Sequence, residues 1–479
     1  MSGLFATLGS STGALQAFER VLDVTQNNVS NASTPGYAVQ RAAINPALFD
    51  PAHGLPGGVS SVEISTARDG FAEQSVRGKV SALGYFEQQS ASLTAVQSNF
   101  DISGQTGVPA ALNGLLQSFS GLTVAPNSET SRDSVIANAQ KVADSFHQAS
   151  AAVAQAAQQT SKQIENTVSG IDRLAGKLRE YNVERKRTPT ADPGLDAKVQ
   201  STLEELSQLA DISTTVASDG TTTVLLGGQT PLVLGANQYS LHTDLAPAGD
   251  PSPAYPNGTP ALQVKDQSGR DITSHVTHGK LGALLQTRNS TLPGLQGDTT
   301  QSGSLNRLAK AFADRVNTIL TSGNISDGPP PQAGVPLFTY DSTNDASVAR
   351  TLAVNPEITA RKIATINPGP PYSNNGIAVR ISALAQPATA ADKIDNVSFT
   401  EFYGGIAAGI GRQLSDAREE TDLQKQLVVQ AQSLRTQLSG VSLDAEAIHL
   451  VQFQRAYQAT ARLIGVLNDL TLTTVNLIK

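Results

Sequence analysis

LDAEAIHLVQFQRAYQATARLIGVLNDLTLTTVNLIK, residues 443–479, repeats every seven positions: Leu443, Leu450, Tyr457, Ile464, Thr471 and Ile478, with Phe453 and Leu467 filling the other seam position. That spacing marks a helix that must pack along another helix. The first thirty residues carry the same mark. Leu4, Leu8, Ser11, Leu15, Phe18, Leu22, Thr25 and Val29 follow one another at alternating steps of four and three. The bulk of the chain lies between them and has a different character. Such a chain reads as a subunit built to assemble, whose ends meet each other and copies of themselves.

At 479 residues the chain is long enough for about three domains of roughly 150 residues each. A hydrophobic fraction of 39% supports real cores, whereas the charged fraction, 16%, is low. A formal charge of −7 argues against a nucleic-acid partner. The one dense basic run, Glu184-Arg185-Lys186-Arg187 before Pro189, reads as a solvated helix end. With no cysteine, disulfides, thiolate catalysis and cysteine–zinc sites are excluded, and passage between reducing and oxidising compartments raises no redox problem. No secretory signal pattern and no membrane-length apolar run is visible. Any export would therefore need another route.

Between the ends, Ser33-Thr34-Pro35-Gly36 stops the first helix. Tyr37 to about Asp69 is turn-rich with short β-like runs, and helical periodicity covers about 70–100. A long stripe from about Thr130 to Arg187, with a heptad row at Val135, Val142, Ala149, Ala156, Gln163 and Gly170 and with Val153, Ile164, Ile171, Leu178 and Tyr181 on or next to it, predicts a rod-like helix or helical hairpin, an ordinary bundle helix being the alternative. Leu195 to Leu209 is a shorter helix. Asp211 to His278 alternates β-branched runs with turns and reads as an all-β sandwich or barrel. Helix returns at Gly279–Thr287 and Leu305–Leu320, residues 322–392 are loop-rich, and Phe399 to Leu438 is helical up to a break at Gly440. The fold class is thus multidomain and mainly α, with an inserted all-β outer domain, a helical-bundle rod domain and terminal coiled-coil helices. The expected division is 1–36 with 440–479, then 37–210 with 280–439, then 211–279.

The catalytic inventory is thin. His275 and His278 have no acidic residue at metal-ligand spacing, and no nucleophile elbow, phosphate loop or dinucleotide fingerprint occurs. Neither cofactor nor metal is expected. Gly404, Gly405, Gly409 and Gly411 lie in a helical pattern and are expected to let helices approach closely. Two segments are sharper. NNVSNASTPGY, Asn27 to Tyr37, reads locally as a helix C-terminus, with Asn27, Asn28 and Asn31 at left-handed-tolerant positions and Pro35-Gly36 as the turn. SGVSLDAEAIHLVQFQRAYQATARLI, Ser439 to Ile464, reads as a helix capped by Ser442, with Asp444 and Glu446 against the positive dipole end.

Together these two segments resemble the axial proteins of the bacterial flagellum, the family of rod, hook, junction and filament-associated subunits. The resemblance rests on the Asn-rich stretch before Thr34-Pro35-Gly36-Tyr37, on Ala456-Tyr457-Gln458-Ala459, and on the mid-chain GKLGALLQTRN, Gly279 to Asn289. Among the family's branches the likeness is to the junction subunits. It implies a structural, non-enzymatic role joining hook to filament, export by the flagellar type III pathway without a cleaved signal peptide, and an extracellular location. It also implies as partners copies of the chain itself, the hook protein, a second junction protein and an export chaperone, with no nucleic acid and no membrane insertion. Another axial subunit, or an exported adhesin or enzyme on axial ends, remains open.

The residues expected at subunit contacts are Leu4, Leu8, Leu15, Phe18, Leu22, Asn27, Asn28, Asn31, Pro35, Gly36 and Tyr37 in the first segment. In the last they are Leu443, Leu450, Phe453, Tyr457, Ile464, Leu467 and Ile478. A lone amphipathic helix is marginal in water, so both termini should be mobile in the free subunit and order on assembly.

Overall fold

A computed structural model describes residues 2–50, 55–100, 106–187, 192–247, 254–255, 258–328 and 330–476. Pro189 and Ile478, the last residue of the expected C-terminal seam, lie outside them.

The N-terminal helix α1 (Ser2–Ser30) leads into strands β1 (Gln40–Pro46), β2 (Phe49–Asp50), β3 (Leu55–Pro56) and β4 (Val59–Thr66). β1 pairs antiparallel with β4, and β2 with β3, giving a long hairpin laid along α1. Helices α2 (Gly70–Gln97), α3 (Gly107–Val124), α4 (Glu129–Arg187) and α5 (Pro193–Leu209) follow. Asp69 caps α2 by accepting from the Ala72 amide at 2.8 Å, and Asp192 caps α5. At 59 residues, α4 is about 90 Å long at 1.5 Å per residue.

The β region is a four-stranded antiparallel meander, β5 (Ile212–Val216), β6 (Thr222–Leu226), β7 (Thr230–Leu234) and β8 (Asn237–Gln238). A separate pair, β9 (His242–Leu245) with β10 (Leu262–Lys265), accompanies it. Thr222, Val224 and Leu226 point inward and alternate with half-buried neighbours, as a sheet covered on one face requires. Among the described residues these sheets do not close into a barrel.

The chain then runs through α6 (Gly279–Gln286), a π-turn at Thr287–Thr291, α7 (Leu292–Gln296) and α8 (Ser304–Thr321). The loop-rich stretch holds the short pairs β11 (Asn324–Ser326) with β12 (Gln332–Ala333) and β13 (Phe338–Thr339) with β14 (Ala353–Val354). It also holds α9 (Val348–Thr351) and α10 (Gly376–Ser382). Two long helices end it: α11 (Phe399–Ser439) and α12 (Leu443–Asn476). A reciprocal box opens α11, in which Ser398 Oγ accepts from the Glu401 amide and Glu401 Oε2 from the Ser398 amide. The fold is mainly α and multipartite.

Two apolar clusters form the interior. One joins α3, the first half of α4, α8 and the start of α11, and takes in Leu337, Leu352, Ile363 and Ile377 from the loop-rich stretch. The other joins the second half of α4, α5, α6 and the β region. α4 bridges them. The heptad row drawn through Val135 does not hold over its length: Val135 and Val142 are buried, but Gln163 is exposed, and Ile164, Ile171 and Leu178 carry the seam onward. A straight α-helix drifts about 20° per heptad from a strict seven-residue repeat, so the row walks off the buried face. Of the α11 glycines expected to let helices approach, Gly404, Gly405 and Gly409 do not serve close packing, since a Cβ there meets nothing within 4 Å, whereas a Cβ on Gly411 would lie 3.6 Å from Gln97 Nε2 of α2.

Candidate assembly surface

The two terminal helices lie antiparallel, with Phe18 of α1 against Phe453 of α12 at 6.2 Å between ring centroids. α12 turns Leu450, Phe453, Tyr457, Thr460, Ile464, Leu467, Thr471 and Thr474 away from bulk solvent, a continuous heptad. Of the residues expected at contacts, Leu467 is buried and Leu450, Phe453, Tyr457 and Ile464 are half-buried, but Leu443 is 55% exposed. It precedes the point where α12 reaches α1. On α1 the covered face is partly rotated from the expected row. Ser11 and Thr25 of that row are buried, as are Asn28 and, beside the row, Ala17 and Val21, while Leu4, Leu8, Leu15, Phe18 and Leu22 are half-buried and Val29 is exposed.

The Asn-rich turn forms the elbow between these helices and the rest of the chain. Asn31 Nδ2 donates to Asn27 O at 3.0 Å and Oδ1 at 2.7 Å, and Thr34 Oγ1 donates to Asn31 Oδ1 at 3.1 Å. These bonds hold the frayed carbonyls at the helix end. Pro35 is exposed. Gly36 takes φ +77°, and a Cβ there would sit 2.5 Å from the Ala197 carbonyl oxygen, so the turn lies directly on α5. The guanidinium of Arg68 donates to the Gly36 carbonyl at 2.6 Å and pairs with Glu73 at 2.5 Å.

Asn28 is the hub. Its Nδ2 donates to Gln40 O at 2.9 Å and to Glu446 Oε1 at 3.1 Å, while its Oδ1 accepts from the Gln40 amide and the Tyr37 hydroxyl, each at 2.9 Å. All four bonds open to an amide side chain are made, at 1% exposure. Burial, reinforced by the Glu446 carboxylate, raises the Tyr37 phenol above its ordinary range. Glu446 therefore faces inward, whereas its first-turn position had suggested only a dipole contact.

Below the hub three chain segments meet. The Val39 amide donates to Ser439 O at 2.9 Å, Ser439 Oγ donates to Ala67 O at 3.0 Å, and the Asp69 amide donates to Ser439 Oγ at 3.1 Å. Arg435 of α11 bridges Glu204 of α5 at 2.7 Å and Glu73 of α2 at 3.4 Å. Sequence reasoning missed Ser439, Arg435, Glu73 and Arg68, whose roles depend on segments far apart in the chain. Glu446 carried a signal: it stands four residues before Leu450, on the extrapolated seam.

The surface offers apolar contact and hydrogen bonding rather than chemistry. Among the described residues no three His, Asp or Glu side chains are grouped to hold a metal ion, and His275 Nδ1 is engaged by the Thr230 hydroxyl at 2.9 Å. No described helix is long and apolar enough to cross a membrane.

Residues 93–338, half of the chain, match the family model for the helical domain of flagellar hook-associated protein FlgK. The chain belongs to the FlgK family. It is a structural protein of the bacterial flagellar axis and not an enzyme. Beyond the FlgK helical domain, residues 8–37 match the flagella basal body rod protein family, and residues 434–477 match the C-terminal family of the basal body rod FlgEFG proteins. The elbow, α12 and all of α1 from residue 8 onward thus fall within matches to rod-protein families.

The flagellar hook-associated protein 1 of Bacillus subtilis is 24% identical over 99% of both chains. That of Salmonella typhimurium is 23% identical over 97% of this chain and 98% of its own. The solved structure of the flagellar hook junction protein FlgK from Burkholderia pseudomallei superposes with a TM-score of 0.62 at 14% identity, covering 77% of this chain and all of that one. That likeness supports the fold.

Proposed function

We propose that this FlgK-family chain joins the flagellar hook to the filament as a ring of copies held through α1 and α12. One observation carries the reading. α12 bears two apolar rows, and α1 covers only one of them. Ile448 is 66% exposed, Leu463 48%, Val466 56% and Leu470 48%. A row of that kind on an isolated helix face is an interaction site, and its coverage by neighbouring copies stabilises the assembly by mass action. The expected contact residues, from Leu4 to Tyr37 and from Leu443 to Ile478, belong to this proposal. So do the division into terminal pair, helical part and β insertion, the hook protein and second junction protein as neighbours, an export chaperone, and extracellular delivery by the flagellar type III pathway. The junction role also draws on what the named relatives are called.

Deleting residues 440–479 tests it. Cells carrying the truncated chain are expected to lose filament attachment, while the purified protein keeps the melting transition of its two central clusters. Normal attachment would refute the reading. The terminal matches to rod families favour a second reading, a rod-type axial subunit. Long homopolymers formed by the purified chain alone would support an axial polymer over a junction ring.

A further inference from the structure

The terminal part, α1 with α12 and the β1–β4 hairpin, meets the helical body at one place. Among the described residues no helix or strand of the first packs along an element of the second. The chain crosses between them three times, at Thr34–Tyr37, at Ala67–Asp69 and at Ser439–Ser442. Two parts joined by so small and polar a contact move relative to one another by default, so their angle is fixed at the crossings or not at all. Charges stand there. Glu73, 5% exposed, holds a guanidinium on each oxygen, Arg68 on Oε1 at 2.5 Å and Arg435 on Oε2 at 3.4 Å. The two cations belong to opposite sides. Arg68 lies at the second crossing and reaches the Gly36 carbonyl of the first at 2.6 Å. Arg435 lies on α11 one turn before the third crossing and is anchored on α5 by Glu204 Oε2 at 2.7 Å, whose other oxygen accepts from Gln432 at 3.2 Å. The body also has a tie of its own: Arg77 of α2 donates to Gln200 of α5 at 3.2 Å and to Thr214 of β5 at 3.1 Å. Helix α2 therefore stays on α5 whether or not position 73 is charged.

We infer that Glu73 is the lock of a hinge, the carboxylate that sets the tilt of the terminal part against the helical body. Among the described residues it is the one carboxylate paired with both Arg68 and Arg435. Removing one partner of a buried ion pair leaves the other charge uncompensated. Without the Glu73 charge two guanidinium groups are left near each other with no anion between them, and they repel. Arg435 is retained by Glu204. Arg68 is the one that moves away, and the Gly36 turn and the terminal part go with it. The charge-assisted bonds are directional and are made or broken with the angle, whereas the apolar clusters of the body lie outside the joint and are untouched. The hinge is a property of the single chain and does not depend on how copies assemble.

The absence of native cysteine permits spin labelling at chosen sites. Labels at Ala43→Cys on β1 and Ala91→Cys on α2, both exposed, report the distance across the joint in the full chain, read by pulsed electron paramagnetic resonance. Labels at Ala91→Cys and Ala137→Cys, the latter exposed on α4, report the body alone. With Glu73 in place the distance across the joint should form one narrow distribution. Adding Glu73→Gln should shift or broaden it by several ångström. The body distance should not change, nor should hydrogen exchange at 25–30 and 444–450, where the Asn28 hub holds the terminal part together. An unaltered distance across the joint would overturn the lock, as would a distribution already broad with Glu73 present. A changed body distance, or faster exchange at the hub, would make Glu73 a support of the fold rather than of the angle and would overturn it too. If the glutamine variant fails to fold, Arg68→Gln, which leaves Glu73 paired with Arg435, should give the same shift, and an unaltered distance in that variant would overturn the proposal.

Discussion

The side-chain amide of Asn28 donates to Glu446 Oε1 at 3.1 Å across 418 residues of sequence. That one bond closes the chain on itself, because the same amide also fixes Tyr37 and Gln40. A buried polar group left without its partner costs about 1–3 kcal/mol. Asn28→Ala strands the Tyr37 hydroxyl, both backbone groups of Gln40 and one oxygen of Glu446. The variant should lose about 3 kcal/mol of local stability at the elbow. Hydrogen exchange on the full chain should show faster exchange over 25–42 and 440–450 and unchanged exchange in α3 and α4. Uniform protection across the chain would mean that the hub does not hold the ends.

Gly36 and Gly405 should respond to alanine with opposite signs. At Gly36 the left-handed backbone costs a side chain about 1–3 kcal/mol, and the new Cβ would also strike the Ala197 carbonyl. At Gly405 the helix is open and the site exposed, so alanine should stabilise by up to about 1 kcal/mol through propensity alone. Thermal melts of both variants check this. A Gly36→Ala chain as stable as the unmodified one would show that the turn does not rest on α5.

The elements were legible wherever a local signal fixed them. Proline and glycine at 35 and 36 stop α1, Ser398 with Glu401 starts α11, and alternation in Thr222–Leu226 marks β6. The seam of α12 was legible in both spacing and phase, whereas those of α1 and α4 were legible in spacing and only partly in phase. The α1 row read from the sequence is fully buried only at Ser11 and Thr25, and the α4 row drifts off the buried face, because a seven-residue count ignores the mismatch with 3.6 residues per turn. Long-range polar ties were not legible. Nothing around Ser439 or Arg435 announces that the one will meet Ala67 and Asp69 and the other Glu73 and Glu204. Helix α3 was missed although Val108, Leu112, Leu115, Leu116, Phe119 and Leu122 recur on one face at helical spacing, because Gly107, Pro109, Gly114 and Gly121 between them carry turn signals.

Tyr37 gives the elbow an alkaline limit. Burial first, and the Glu446 carboxylate second, raise its phenol above the ordinary value of about 10. The folded state therefore binds the phenol proton more tightly than the unfolded state. The stabilisation is fully present below pH about 10 and is lost as pH rises through the raised folded value. Tyr37→Phe removes both the hydroxyl bond to Asn28 and this titration. The variant should be less stable than the unmodified chain at neutral pH, and the gap should narrow above pH about 10. Denaturant melts at pH 8 and 11 measure it; a constant gap would exclude Tyr37 as the titrating group.

The free chain should be stable in the middle and loose at both ends. The contact between α1 and α12 fully buries few apolar side chains, chiefly Ala17, Val21 and Leu467, whereas the two central clusters bury dozens. Local opening follows such differences in buried contact, from near zero at poorly packed ends to the global value in cores. The hub at Asn28 pins only one end of the antiparallel pair, so opening should begin at Leu4 and around Leu470 and run toward the elbow. Peptide-resolved exchange on the purified subunit should show fast exchange over 2–24 and 455–476, intermediate exchange at 25–42, and protection across α3, α4 and α8. Full protection of both ends would mean that they already pack stably within the monomer or a small oligomer. Ordering on assembly would then not be the step that drives the proposed ring.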